Sequence, residues 1–194
     1  MTDKLKLFFI TLSVVIAISC SRENPKILFK TELGRITIEL YPDKAAITVN
    51  NFLQYVEENR LREATFYRTV TLDNQPGSEA KIEVIQGGLY EDNHPDALPP
   101  ISHETTEMTG ILHKDGVISL ARYGPGSATC EFFICVGDQP KLDYGGNRNG
   151  DGQGFAAFGK VIDGMDVVHK IHQSAADGQY LEPRIKIESI EIIE

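Results

Sequence analysis

The chain has 194 residues, 41% of them hydrophobic and 24% charged, which is enough apolar material for one substantial domain with a packed core. Its formal charge of −9 and its lack of a Lys/Arg cluster exclude nucleic acid as a partner, because a phosphate backbone requires a basic face. Basic or neutral polypeptide partners suit this charge better.

The start stands apart from the core. Lys4 and Lys6 precede the apolar stretch Leu7 to Ile18, LFFITLSVVIAI, which is shorter than the roughly 20 residues that span a bilayer and fits the centre of a signal peptide. Its tail, Ala17-Ile18-Ser19-Cys20, resembles the bacterial lipobox, in which small residues lead into a cysteine that is lipidated; leucine is usual where Ala17 stands. Ordinary cleavage, with Cys20 lost or left free, is the alternative. The expectation is a signal peptide over 1–19, lipidation at Cys20, a tether over 20–26 and a folded domain over 27–194. Such a chain would sit in the bacterial cell envelope, outside the cytoplasm, touching a membrane through its lipid. Cys130 and Cys135, held about 16 Å apart along a strand at about 3.3 Å per step, exceed the ~7 Å that a disulfide tolerates. They read as small buried hydrophobes.

"KILFKTELGRITIELYP" (26–42) alternates on both sides of Leu33-Gly34, which predicts a hairpin. In "DKAAITVNNFLQYVEENR" (43–60), Ala46, Val49, Phe52, Leu53 and Val56 recur at helical spacing, with Asp43 as the expected cap. "ATFYRTVTLDNQPGSEAKIEVIQGG" (64–88) reads as strand, turn and strand. Residues 89–115 are polar and proline-containing, hence loop. "GVISLAR" (116–122) and "CEFFICVG" (130–137) are strands around the turn Gly124-Pro125-Gly126. A glycine-rich loop (143–154) leads to the strand "FAAFGKVI", a second helix over 163–175 and a final strand "RIKIESIEIIE". About eight short strands and two helices predict a mainly β domain, a closed antiparallel barrel or a sandwich capped by helices, since closure removes exposed strand edges.

Five stretches in this order carry a resemblance: "TFYR" (65–68), "IQGG" (85–88), "GVISLAR" (116–122), "SATCEFFI" (127–134) and "FAAFGKVIDGMDVV" (155–168). Together they resemble the cyclophilin family of peptidyl-prolyl cis/trans isomerases, over about residues 27–194. The resemblance implies a closed eight-stranded antiparallel β-barrel capped by two α-helices. It also implies catalysis of rotation about X–Pro bonds, where amide resonance sets a barrier of about 18–20 kcal/mol. That chemistry requires an apolar pocket for the proline ring and a donor aimed at the imide nitrogen, with no metal or cofactor.

By this resemblance Arg68 is the catalytic donor, suited by its permanent charge and planar fork. Gln86 would grip substrate backbone, and Ala121 falls where the family has a small substrate-contacting residue. Val84, in place of a usual methionine, Phe133 and Leu142 would form the proline pocket, with Phe66 beside Arg68 also assigned to substrate. Phe155 replaces a histidine or tyrosine at the rim. Each apolar residue here could equally be plain core. Glu131 stands where most members carry glutamine, on the same strand face as Phe133, so its carboxylate should enter the cleft and either pair with or orient Arg68, or receive a substrate N–H. Glu83 occupies the place of a pocket phenylalanine, but about ten extra residues, including "LDNQPGSEAK", precede it. Ile82 or Ile85 could fill the space instead.

Other signals point less far. Asp143, Asn147, Asn149 and Asp151 alternate with glycine as calcium-loop donors do, but the closing glutamate is missing and such residues suit any long turn. His94, His103 and His113 read as solvated loop residues, His169 and His172 as partners of a helix C-terminus, and no Ser-His-Asp constellation is expected. No metal site is expected. The first functional reading is a monomeric isomerase acting on proline-containing polypeptides among exported proteins. The second is a proline-peptide-binding chaperone or scaffold of low turnover, its cleft altered by Glu131 and Glu83.

Overall fold

A computed structural model of the chain describes residues 23–91 and 93–193. The expected signal peptide and Cys20 lie outside the described residues. The elements, in chain order, are β1 (Lys26–Thr31), β2 (Gly34–Leu40), α1 (Ala46–Glu57), β3 (Thr65–Val70), β4 (Val84–Gly88), α2 (Thr106–Thr109), β5 (Val117–Leu120), β6 (Phe132–Cys135), β7 (Ala156–Asp163), α3 (Met165–His172), β8 (Ala176–Asp177) and β9 (Tyr180–Ile193). The first strand opens at Lys26, one residue before the expected domain start.

The strands run β1-β2-β7-β5-β6-β4-β3-β9, and β9 pairs back with β1, so eight strands close a ring; β8 is a two-residue addition to β9. Every pairing is antiparallel. Closure leaves no long unpaired edge in the ring. The alternation that suggested strands fills its interior: Ile27 and Phe29 of β1, Ile36 and Ile38 of β2, Phe66 of β3, Phe132 of β6 and Phe158 of β7 are all fully buried. Phe132 sits edge-on to Phe29, Phe52 and Phe66 at centroid distances of 5.4, 5.8 and 5.7 Å, an arrangement that aromatic quadrupoles favour.

The run Phe132-Phe133-Ile134-Cys135 is buried on both faces, and the barrel explains why. Phe132 and Ile134 face the interior, whereas Phe133 and Cys135 join Val70, Ile82, Val84 and Leu142 in a separate apolar cluster outside it. One strand thus supplies two cores with period-two alternation. Cys130 and Cys135 are free and buried.

The helices depart from expectation in number and in capping. The region read as loop contains α2, a single turn started by Thr105, whose hydroxyl accepts from Met108 N, and stopped by Gly110 in the left-handed conformation at φ 68°. Helix α1 begins at Ala46 and has no local side-chain cap, so Asp43 does not serve as one. Glu104, distant in sequence, takes that role. Its carboxylate accepts from Ile47 N (3.2 Å), Thr48 N (2.8 Å) and the Thr48 hydroxyl (2.7 Å). A buried anion at a helix N-terminus satisfies donors that have no intrahelical partner. Helix α3 turns Val167, Val168 and Ile171 inward. His172 closes it by contacting Val70 O at 2.9 Å through Nε2, which ties the helix to β3.

Candidate active site

Strand β3 carries Arg68, and an irregularity in its pairing decides where the neighbouring side chains point. Its register with both β4 and β9 shifts between Phe66 and Arg68, so Tyr67 is the extra residue of a bulge. A bulge re-aims side chains that regular alternation would place on opposite faces. Tyr67 and Arg68 therefore both line the same cavity, while Phe66 points into the barrel. The expected substrate role of Phe66 is corrected by this placement: it is fully buried, 6.4 Å from Phe29 and 5.7 Å from Phe132 between ring centroids, and does not border the cavity.

The cavity has a volume of about 460 Å³. Arg68, Val84, Gln86, Ala121, Glu131, Phe133, Leu142 and Phe155 all line it, so the remaining sequence-predicted residues converge. Ile82 lines it too, and Glu83 does not: the backbone carbonyl of Glu83 accepts from Val136 N at 3.0 Å, and Ile82 joins the apolar wall in its stead. Ile85 faces the barrel core. Phe133 is the floor, stacked at 5.9 Å on His113 below and edge-on at 5.3 Å to Phe155 above.

His113 corrects a second expectation. It is 1% exposed rather than solvated. Its Nδ1 lies 2.7 Å from Asp143 Oδ1 and its Nε2 3.0 Å from Ser119 Oγ, so a Ser-His-Asp constellation does exist. Ser119 is fully buried, however, which withholds its hydroxyl from any substrate. The trio holds the imidazole flat beneath Phe133. His103 and His94 are likewise enclosed in part: His103 Nε2 sits 3.2 Å from Gln153 O, with burial lowering its pKa, and the His94 side chain is 10% exposed.

Arg68 is positioned by two amides. Nη1 donates to Gln86 Oε1 at 2.8 Å, and Nε and Nη2 donate to Gln179 Oε1 at 2.9 and 2.5 Å. An arginine has five N–H donors, so one hydrogen remains on each terminal nitrogen for a ligand. Burial lowers the pKa of the guanidinium, though arginine stays charged in proteins. Gln179 is itself oriented, because its Nε2 donates to Asn74 O at 2.9 Å and so turns Oε1 toward Arg68. The inserted segment after β3 thereby reaches the arginine through one side chain.

Glu131 does not pair with Arg68. Its Oε2 accepts from the Tyr67 hydroxyl at 2.5 Å and its Oε1 from Tyr90 N at 3.0 Å. The Tyr67 oxygen in turn accepts from Gln86 Nε2 at 2.6 Å, so a directed chain runs Arg68, Gln86, Tyr67, Glu131. Burial raises the Glu131 pKa, opposed by the hydrogen bonds from Tyr67 and Tyr90. Burial and the carboxylate together push the Tyr67 phenol far above its usual value, keeping it a donor. Gly88, at φ 146°, allows this approach: a Cβ there would stand 2.5 Å from Glu131 Oε1. Cys130, beside the cavity, has its thiol pushed up to about 11 by burial, which leaves it unreactive at neutral pH.

The glycine-rich loop turns two of its candidate oxygen donors toward the protein. Asp143 serves His113, and Asp151 forms a two-bond pair with Arg122 at 2.7 and 2.8 Å. Among the described residues no three His, Cys, Asp or Glu side chains gather as metal ligands. Sequence reasoning missed Tyr67, Arg148 and Gln179. Tyr67 adjoins a residue it singled out, but nothing local marks a bulge, and Arg148 and Gln179 arrive from loops whose course depends on the fold.

A family model described as "Cyclophilin type peptidyl-prolyl cis-trans isomerase/CLD" matches residues 26–192. The chain is 39% identical over 151 residues to a peptidyl-prolyl cis-trans isomerase of Acinetobacter baylyi, covering 76% of this chain and 72% of that protein. It is 36% identical over 148 residues to peptidyl-prolyl cis-trans isomerase B of Escherichia coli, covering 75% and 82%. Among solved structures, a cyclophilin type peptidyl-prolyl cis-trans isomerase of Cryptosporidium parvum, crystallised in the presence of the dipeptide Ala-Pro, superposes with a TM-score of 0.70 at 19% identity over 87% of this chain and 99% of that one. That likeness supports the fold. With nearly the whole described domain matched, the chain belongs to the cyclophilin-type peptidyl-prolyl cis-trans isomerase family and is an isomerase.

Proposed function

We propose that this isomerase turns X–Pro bonds of exported polypeptides, with the proline ring in the slot of Ile82, Val84, Phe133, Leu142 and Phe155 and with Arg68 as the donor. One observation carries the reading: a guanidinium anchored by two amides, with hydrogens to spare, stands at the edge of that apolar slot. As the C–N bond twists, resonance is lost and the nitrogen lone pair localises. A donor fixed beforehand stabilises that state more than the planar ground state. Gln86 shares the rim and can hold the flanking backbone. The Cryptosporidium relative was crystallised with a proline dipeptide, which suits a slot of this kind.

Arg68→Ala in a proline-limited refolding assay tests the reading. Acceleration should fall about 100-fold, as expected for removal of one transition-state donor, while peptide binding persists. A wild type that binds such peptides without accelerating refolding would favour the chaperone or scaffold reading.

The envelope location rests on Lys4, Lys6, the apolar stretch and Cys20. Metabolic labelling with a fatty acid should mark the wild type and leave Cys20→Ala unmarked and released from membranes.

A further inference from the structure

The chain is acidic overall, yet its cavity is bordered by three arginines, and only one of them is neutralised. Arg122 is paired with Asp151 and its guanidinium also donates to Gly154 O. Arg68 and Arg148 have no carboxylate partner among the described residues. Both line the cavity. Burial, with the Arg68 charge second, lowers the Arg148 pKa.

Arg148 is also rigid. Its Nη1 donates to Gln75 Oε1 (3.0 Å), Ser78 Oγ (3.2 Å) and Ala80 O (3.0 Å), and its backbone N donates to Lys141 O (3.1 Å). Gln75 is 3% exposed and is bonded in turn to Thr71 O and to both Ile82 N and O. The segment after β3 thus clamps an arginine that the glycine-rich loop delivers. All three acceptors are neutral, so its charge remains available. Two like charges brought together around a slot, each left without a counter-ion, leave room for an anion there.

The carboxylates that line the cavity are Glu91 and Glu131. Glu131 is engaged by Tyr67 and Tyr90, and Glu91 belongs also to an adjoining groove that Arg68 borders and Arg148 does not reach.

We propose that Arg148, with Arg68, forms a subsite for the carboxylate of an aspartate or glutamate lying within about two residues of the bound proline, at about 3.3 Å of extended chain per residue. The inference rests on the reading of the cavity as a proline site and adds to it a preference for acidic neighbours. A single carboxylate suits a cavity lined by two guanidiniums that have no carboxylate partner among the described residues.

The test uses the whole chain and pairs of proline peptides that differ only by Glu for Gln, placed before or after the proline. At low salt the wild type should favour the Glu peptide at one of these positions by about tenfold in kcat/KM, the scale of a charge-assisted contact. The Glu/Gln ratio should fall to near one in Arg148→Gln, persist in part in Arg148→Lys, and shrink with added salt. Equal rates for both peptides in the wild type, or a ratio unchanged in Arg148→Gln, would overturn the subsite. If Arg148→Gln does not fold, the lysine variant and the salt titration decide. If neither peptide is isomerised, the enzyme reading fails instead, and the binding of the same two peptides, followed by fluorescence anisotropy, reads the subsite by itself.

Discussion

Tyr67 donates its phenolic hydrogen to Glu131 at 2.5 Å, and through that contact a carboxylate acts on an arginine it never touches. The Tyr67 oxygen accepts from Gln86, whose carbonyl accepts from Arg68. Each donor polarises the next in such a chain. Glu131→Gln keeps an acceptor and removes the charge, so kcat/KM should drop by roughly threefold to tenfold, the scale of the difference between a charged and a neutral hydrogen bond. An unchanged rate would show that the chain's charge is irrelevant to turnover.

The same residue predicts a pH dependence. Burial raises the Glu131 pKa in the folded chain above its unfolded value. The folded state therefore holds that proton to higher pH than the unfolded state. Its contribution is complete below the unfolded value and is lost as pH rises through the folded one. Urea titrations across that window should show wild-type stability falling with pH relative to Glu131→Gln, and a pH–rate profile should lose the matching inflection in the variant.

Gln179 offers a cleaner handle on Arg68. Gln179→Ala removes the acceptor of two of its three hydrogen bonds and frees the guanidinium to wander. We expect kcat to fall about tenfold with KM within about twofold, because a charged hydrogen bond contributes about 1.5–3 kcal/mol. Gln179→Glu, which retains an oxygen at that place, should recover part of the loss. A fall in thermal stability alone, with kcat intact, would reduce Gln179 to a structural role.

Phe66 and Phe133 separate barrel from site. Phe66→Leu should cost roughly 1–2 kcal/mol in chemical denaturation and leave kcat/KM of the folded protein unchanged. Phe133→Ala should cost roughly 3–5 kcal/mol and also abolish turnover, since it removes the floor between His113 and Phe155. Impaired turnover in folded Phe66→Leu would contradict the interior placement.

The Glu104 cap is open to a direct check. Glu104→Gln should destabilise the fold by roughly 1–2 kcal/mol, as loss of a capping group does, with hydrogen exchange quickening first at Ile47 and Thr48.

Much of the design can be read along the chain, and the reason is periodicity. Alternation around Leu33-Gly34, the helical spacing of Val49, Phe52 and Val56, and the apolar run at 132–136 depend on neighbours a few residues apart. The expected strands and both long helices therefore appear, and Arg68, Val84, Gln86 and Phe133, assigned by family resemblance, converge because paired strands β3, β4 and β6 carry their side chains in register. What escaped was every feature set by residues distant in sequence. Asp43 stands where a local cap belongs, but Glu104 supplies it from across the fold. Phe66 and Tyr67 exchanged roles because a bulge, a property of the pairing between strands, shifted the alternation. Glu131 found Tyr67 rather than Arg68, and Gln179 and Arg148 came in on loops whose paths only closure of the barrel could set. Local order follows from short-range repetition, whereas a site assembled from several strands and loops exists only once long-range pairing has placed them side by side.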